Sequence, residues 1–234
     1  MSRSFFPVLL FALLFSACDG AELMDPDSET TFRQFELGDM WVMERTFSWE
    51  FGHTSSGIDT LEVTDAREID GEVWFHISST GDSILGGCLS GSPWYTVRRD
   101  GMWVRGISDD EIMVPHMYLP YPSEVGEEVI RQNATGVTRV AEYNEVEING
   151  ETIQAIPFEV ASKPGFRPFR NSPESLEAVR EYPLDRPFQF VDMISLTHGF
   201  VHLETVYVTP DHDTERARIV GEMQLDLIKF VPGG

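Results

Sequence analysis

Three dipeptides constrain most strongly what this chain can fold into. Asp70-Gly71, Asp100-Gly101 and Asn149-Gly150 each lie between two segments rich in β-branched and aromatic residues. Asp-Gly and Asn-Gly suit the type I′ turn, whose two central residues need positive φ, and such a turn joins antiparallel strands. The first joins 61–69 to 73–79, the second 94–99 to 102–107, and the third 137–148 to 152–160. Ahead of them, Trp41, Met43, Phe47, Trp49 and Phe51 alternate with Val42, Glu44, Thr46, Ser48 and Glu50. That is the period of a long half-buried strand. Arg45 breaks its apolar side, either snorkelling to an edge or sitting inside, paired with a carboxylate. Residues 188–196, 200–208 and 216–230 read as further strands. The prediction is all-β: one large antiparallel meander of about eight to ten strands, curled into an open barrel or split into a β-sandwich.

Two proline-rich stretches interrupt the pattern. Val114 to Pro122 contains Pro115, Pro120 and Pro122, which excludes a central strand. It reads as a loop pinned onto the barrel mouth, or as an aromatic wall of a ligand groove. Residues 163–187 are also rich in proline, and Ser172-Pro173-Glu174 within them reads as the N-cap, first-turn proline and acid of one short helix ending near Tyr182.

The first 18 residues are of another kind. Arg3 precedes an apolar run from Phe5 to Phe15, too short for a bilayer, which needs about 20 apolar residues. A basic start, a short apolar core and small residues at its end make a secretory signal. The small residues are Ser16 and Ala17, and Cys18 follows. This stretch resembles the lipobox of bacterial lipoproteins, although Phe15 stands where Leu is commonest. The resemblance implies that Cys18 is lipidated and becomes the new N-terminus; the other reading is an ordinary cleaved leader with Cys18 incidental. Two acyl chains give stable anchoring where one does not. Asp19 resembles an inner-membrane retention signal, so inner and outer membrane stay open. The expected organisation is a signal peptide at 1–17, lipidated Cys18 and an acidic tether to Gln34, and a single β-rich domain from Phe35 to Gly234. Exported and lipid-anchored in the bacterial cell envelope is the expected location.

Leu37-Gly38-Asp39-Met40-Trp41-Val42-Met43 looks like the opening strand of β-rich envelope lipoproteins that have no assigned activity. The stretch from Ser195 to Glu204 is similar to their late Gly-hydrophobic-Val strand. That resemblance implies a meandering antiparallel sheet, often an open barrel.

Charge narrows the partners. The net charge is −22, and the leader holds one Arg and no acid, so the remainder carries about −23. Such a surface repels nucleic acid and anionic lipid headgroups, so no nucleic-acid partner is expected. The expected membrane contact is through the N-terminal lipid. If Cys18 is acylated, Cys88 has no partner in the chain; it lies in a Gly/Ser-rich loop with no basic flank to lower its pKa.

Candidates for chemistry are few. His198 and His202 have the spacing of a helical metal pair, but on a strand they stand roughly 13 Å apart, too far for one zinc. Asp109-Asp110-Glu111 and the acids at Asp211, Asp213 and Glu215 lack the spacing of a calcium loop. No nucleophile elbow, phosphate loop, dinucleotide fingerprint or paired-Cys zinc motif occurs, so no catalytic residue, cofactor or metal is expected. The reading is a non-enzymatic module that binds an apolar or amphipathic ligand inside a curled sheet, with Trp41, Phe47, Trp49, Tyr118 and Tyr121 lining it. The alternative is a structural lipoprotein that docks another envelope protein.

Overall fold

The computed structural model describes residues 32–80, 92–107, 112–130, 137–161, 166–168, 190–211, 213 and 216–234. The strands are β1 (Met40–Trp49), β2 (Thr54–Ile69), β3 (Glu72–Ser79), β4 (Ser92–Arg98), β5 (Gly101–Ile107), β6 (His116–Pro120) and β7 (Glu128–Ile130). They continue with β8 (Val137–Val140), β9 (Asn144–Ile148), β10 (Glu151–Ala161), β11 (Phe166–Pro168), β12 (Phe190–Ser195), β13 (Gly199–Asp211) and β14 (Arg216–Val231). The order across the sheet is β6-β5-β4-β3-β2-β1-β14-β13-β12-β10-β8-β7. Two meanders, one from each half of the chain, are thus zipped together along β1 and β14, from Met40 opposite Val231 to Trp49 opposite Gly221.

This path of twelve antiparallel strands is nearly closed into a barrel, which decides between the barrel and the sandwich. Its two ends, β6 and β7, are consecutive in sequence. Residues 121–127 join them, a connection that reaches at most about 28 Å when fully extended. The path's twelve strands exceed the expected eight to ten because His116–Pro120 and Glu128–Ile130 are also strands, at its two ends. Val114 to Pro122 is therefore not simply a loop: His116 to Pro120 forms β6, at one end of the path. That is the place where a strand tolerates proline, since no partner there requires its missing N–H.

Two of the three turns have the expected geometry. Asp70 and Gly71 have φ of 56° and 80°, and Asn149 and Gly150 have 53° and 80°. The β4–β5 turn differs. Arg98 pairs with Gly101, so the loop is Arg99-Asp100, and the positive φ (138°) falls on Gly101. Glycine is needed there for close approach, because a Cβ would lie 2.2 Å from the Leu119 carbonyl oxygen. At Gly71 a Cβ meets nothing within 4 Å. Gly71→Ala is therefore expected to cost about 1 kcal/mol through backbone strain alone. Gly101→Ala should cost about 3 kcal/mol, because strand β6 must also move. Urea unfolding of the two variants checks the ratio.

Alternation places one face of each strand inside. Trp41, Met43 and Phe47 of β1, Leu61 and Val63 of β2, and Leu203, Met223 and Leu225 of β13 and β14 form one core with Tyr95, Phe158 and Phe200. Phe51 does not join it: β1 ends at Trp49, and Phe51 is 76% exposed in the following turn. A second, smaller cluster lies across β3, β4 and β5, where Trp74, Trp94 and Ile107 pack with Ile69 and Trp103. The Arg98 guanidinium stands 4.2 Å over the Trp103 ring and forms a two-pronged ion pair with Glu72 at 2.7 Å. Arg105 stands 4.9 Å over Trp74.

Several sequence expectations fall on residues outside those described: the leader, Cys18 and most of the tether, the loop around Cys88, the Asp109–Glu111 cluster, and the helix from Ser172 to Tyr182. The end of the tether is described and differs from expectation. Phe32 is buried, as is Phe35, so the packed chain begins at least three residues before the expected boundary.

Candidate functional site

The site is the barrel interior, and its most populated region lies at the start of β1. Trp41 is fully buried there. Its ring lies 5.3 Å from Phe200, 5.5 Å from Phe230 and 6.0 Å from Phe35, and its Nε1–H donates to the His198 carbonyl at 2.5 Å. Tyr95 joins the same group, 6.5 Å from Phe35 and 5.9 Å from Tyr118. Phe47 and Trp49 lie elsewhere. They pack on each other at 4.3 Å and on Tyr207 at 5.0 and 6.2 Å, near the far end of β1. Six to eight residues of strand, roughly 20–25 Å, separate them from Trp41. The five predicted lining residues thus share one core but fall into three ring groups: Trp41 and Tyr118 joined through Phe35 and Tyr95, Phe47 with Trp49, and Tyr121 with Phe32 and Phe158. On β1, between Trp41 and Phe47, Arg45 has its Nη1 3.2 Å from the buried carboxylate of Asp59. Of the two readings of Arg45, the paired one holds.

The near-closure of the barrel is bridged by side chains. Tyr118 of β6 donates its hydroxyl to Asp192 of β12 at 2.9 Å, and Asp192 is buried. Tyr121 hydrogen-bonds Tyr143, whose phenol is pushed up by burial and by that neighbour. Phe32 completes the bridge, with ring centroids 5.0 Å from Tyr121 and 6.1 Å from Phe158.

Phe32 and Phe35 belong to a strap, residues 32–37, that crosses this end of the barrel outside the strand ladders. Asp39 holds it. This fully buried carboxylate accepts from the Arg33 guanidinium at 2.7 Å, the Glu36 amide at 2.9 Å and the Gly233 amide at 2.8 Å. The segment ahead of β1 and the segment after β14 therefore meet on one side chain. Arg33 also stands 5.0 Å over the Phe230 ring, and its Nε is buried with no hydrogen-bond partner.

Phe32, Phe35, Asp39, Phe158, Phe200 and Asp192 escaped the sequence reading. Two apolar rings three residues apart around Arg33 were a signal for the strap, but they sat at the end of an acidic stretch with no strand period.

His198 and His202 turn to different partners. His198 lies in the turn after β12, with Nδ1 2.8 Å from the Thr197 hydroxyl. His202 is clamped between Asp226, 2.6 Å from Nδ1, and Glu204, 3.2 Å from Nε2. Burial alone would lower its pKa, but hydrogen bonds to both carboxylates outweigh that and raise it to about 9. A raised folded-state pKa contributes stability that is complete below the unfolded value of 6.5 and is lost as pH rises through about 9. Stability should therefore fall by roughly 2–3 kcal/mol between those limits. His202→Gln should flatten that slope, as urea titrations at pH 6, 7.5 and 9.5 would show.

Among the described residues, no group of three or more His, Cys, Asp or Glu side chains is placed to hold a metal ion. Comparison with known proteins finds no matching family model, no matching curated protein and no matching solved structure.

Proposed function

We propose that the protein is a lipid-anchored, non-enzymatic component of the bacterial cell envelope that holds an apolar or amphipathic ligand in the aromatic interior of its barrel. Barrel width carries this reading. Eight strands enclose a space that side chains just fill, and more strands leave room for a ligand. Here the path has twelve, and two rings from outside the sheet, Phe32 and Phe35, are packed into the core beside those of the strands. The walls have the composition of a small-molecule site: mostly aromatic, with a few placed polar groups such as Tyr118 and Asp192. In this reading the lipidated Cys18 holds the barrel close to the membrane from which an apolar ligand would come.

Docking of another envelope protein is the second reading, favoured by the direct ring-to-ring packing of the interior. Native mass spectrometry of the Cys18→Ser protein, purified gently from a bacterial envelope, separates the two. A reproducible extra mass lost on denaturation is expected for a carrier. A clean apo mass, followed by cross-linking to one envelope protein in cells, would replace the carrier with the docking protein.

A further inference from the structure

We propose that the slot filled by Phe32 and Phe35 is the barrel's binding site, that the strap is its resident occupant, and that its external ligand is a cationic amphiphile. The inference rests on the carrier reading and assigns its site and ligand chemistry.

The strap itself is the template. Its two apolar rings are three residues apart, about 10 Å along an extended chain. Phe32 is seated against Tyr121 and Phe158, and Phe35 against Trp41, Phe75, Tyr95 and Phe200. Its cationic head, Arg33, lies on the buried carboxylate of Asp39. A molecule with an apolar body and an ammonium or guanidinium head offers the same two contacts. Without one, release of Arg33 leaves Asp39 as a buried charge with no counter-ion, which opposes opening.

Three observations make the strap displaceable. Residues 32–37 take no part in the strand ladders, so their release breaks few backbone bonds, such as Arg33 N to Leu196 O at 2.9 Å, while Gly38 and Asp39 stay paired with Val63 of β2 at 2.9 Å. Arg33 Nε is desolvated without an acceptor, so the internal head fits the site imperfectly, and a donor in that state carries an uncompensated cost. The net charge of −22 attracts a cationic ligand over a distance and repels an anionic one.

Hydrogen exchange read by mass spectrometry tests this on the full chain carrying Cys18→Ser, with submicellar dodecylammonium and dodecanoate as probes. Dodecylammonium should speed exchange of amides 33–37 roughly tenfold while slowing those of β10 and β13 around Phe158 and Phe200; dodecanoate should do neither. Asp39→Asn should abolish the difference between the probes. The comparison of the two probes on the chain that keeps Asp39 stands even if that variant folds poorly. Strap amides that open only with the whole barrel, or that respond equally to both probes, would overturn the proposal. A ligand retained in native mass spectrometry beside an unresponsive strap would leave the carrier standing and remove the strap from it. An apo mass with an unresponsive strap would remove both.

Discussion

Trp41→Ala is expected to lower the unfolding free energy by about 3–5 kcal/mol, the range for deleting a buried Trp or Phe. The site determines why the upper end applies. Trp41 is fully buried, touches three other rings, and gives its indole N–H to the His198 carbonyl. The cavity cannot close easily, because its walls lie on β1, β13, β14 and the strap, and two of those strands are locked together at the centre of the sheet. The His198 carbonyl also loses its donor. Phe51→Ala is the matched control: it removes a large ring that is 76% exposed, and should change stability by less than about 0.5 kcal/mol. Urea denaturation of both variants decides the matter. Similar losses at the two positions would mean that the alternating pattern, and not burial at the barrel end, sets the energetics.

Asp39→Ala should be nearly as costly, at about 3 kcal/mol, although it removes few atoms. A buried carboxylate is deleted while its partners remain. The Arg33 guanidinium loses its counter-ion, and the amides of Glu36 and Gly233 lose their acceptor. Breaking such a pair from one side leaves desolvated donors, which costs more than the pair contributes when intact. Asp39→Asn keeps an acceptor oxygen without the charge and should lose about half as much. The two variants should differ from Trp41→Ala in where they act: hydrogen exchange should quicken first in 33–39 and at the C-terminal end near Gly233. Uniform acceleration over β1 and β14 would show that Asp39 supports the sheet directly and not through the strap.

The outcomes at Arg45 and at the three turns show where sequence is informative. Period-two alternation from Trp41 to Trp49 identified the strand and its inner face, because side-chain direction in a strand is a local property. It left Arg45 with two fates, since whether a carboxylate waits opposite depends on register with another strand. Asp59, the Cα partner of Met43, supplies it. The Asp-Gly and Asn-Gly pairs identified hairpins by their demand for positive φ. The β4–β5 turn departed because Gly101 is placed by contact with the Leu119 carbonyl on β6, a neighbour from elsewhere in the chain.

The sequence by itself determined the antiparallel all-β architecture, the inward faces of the main strands and the strong net acidity, since each follows from local alternation, turn chemistry or composition. Only the tertiary structure decided that the meander closes nearly into a barrel through β1 and β14, that Trp41 and Trp49 belong to different aromatic groups, and that Phe32 and Phe35 enter the core. Those facts depend on long-range pairing: Asp39 meets Gly233 at the other end of the chain. No local pattern encodes such a meeting, because burial of the strap is decided by the width of the barrel it fills.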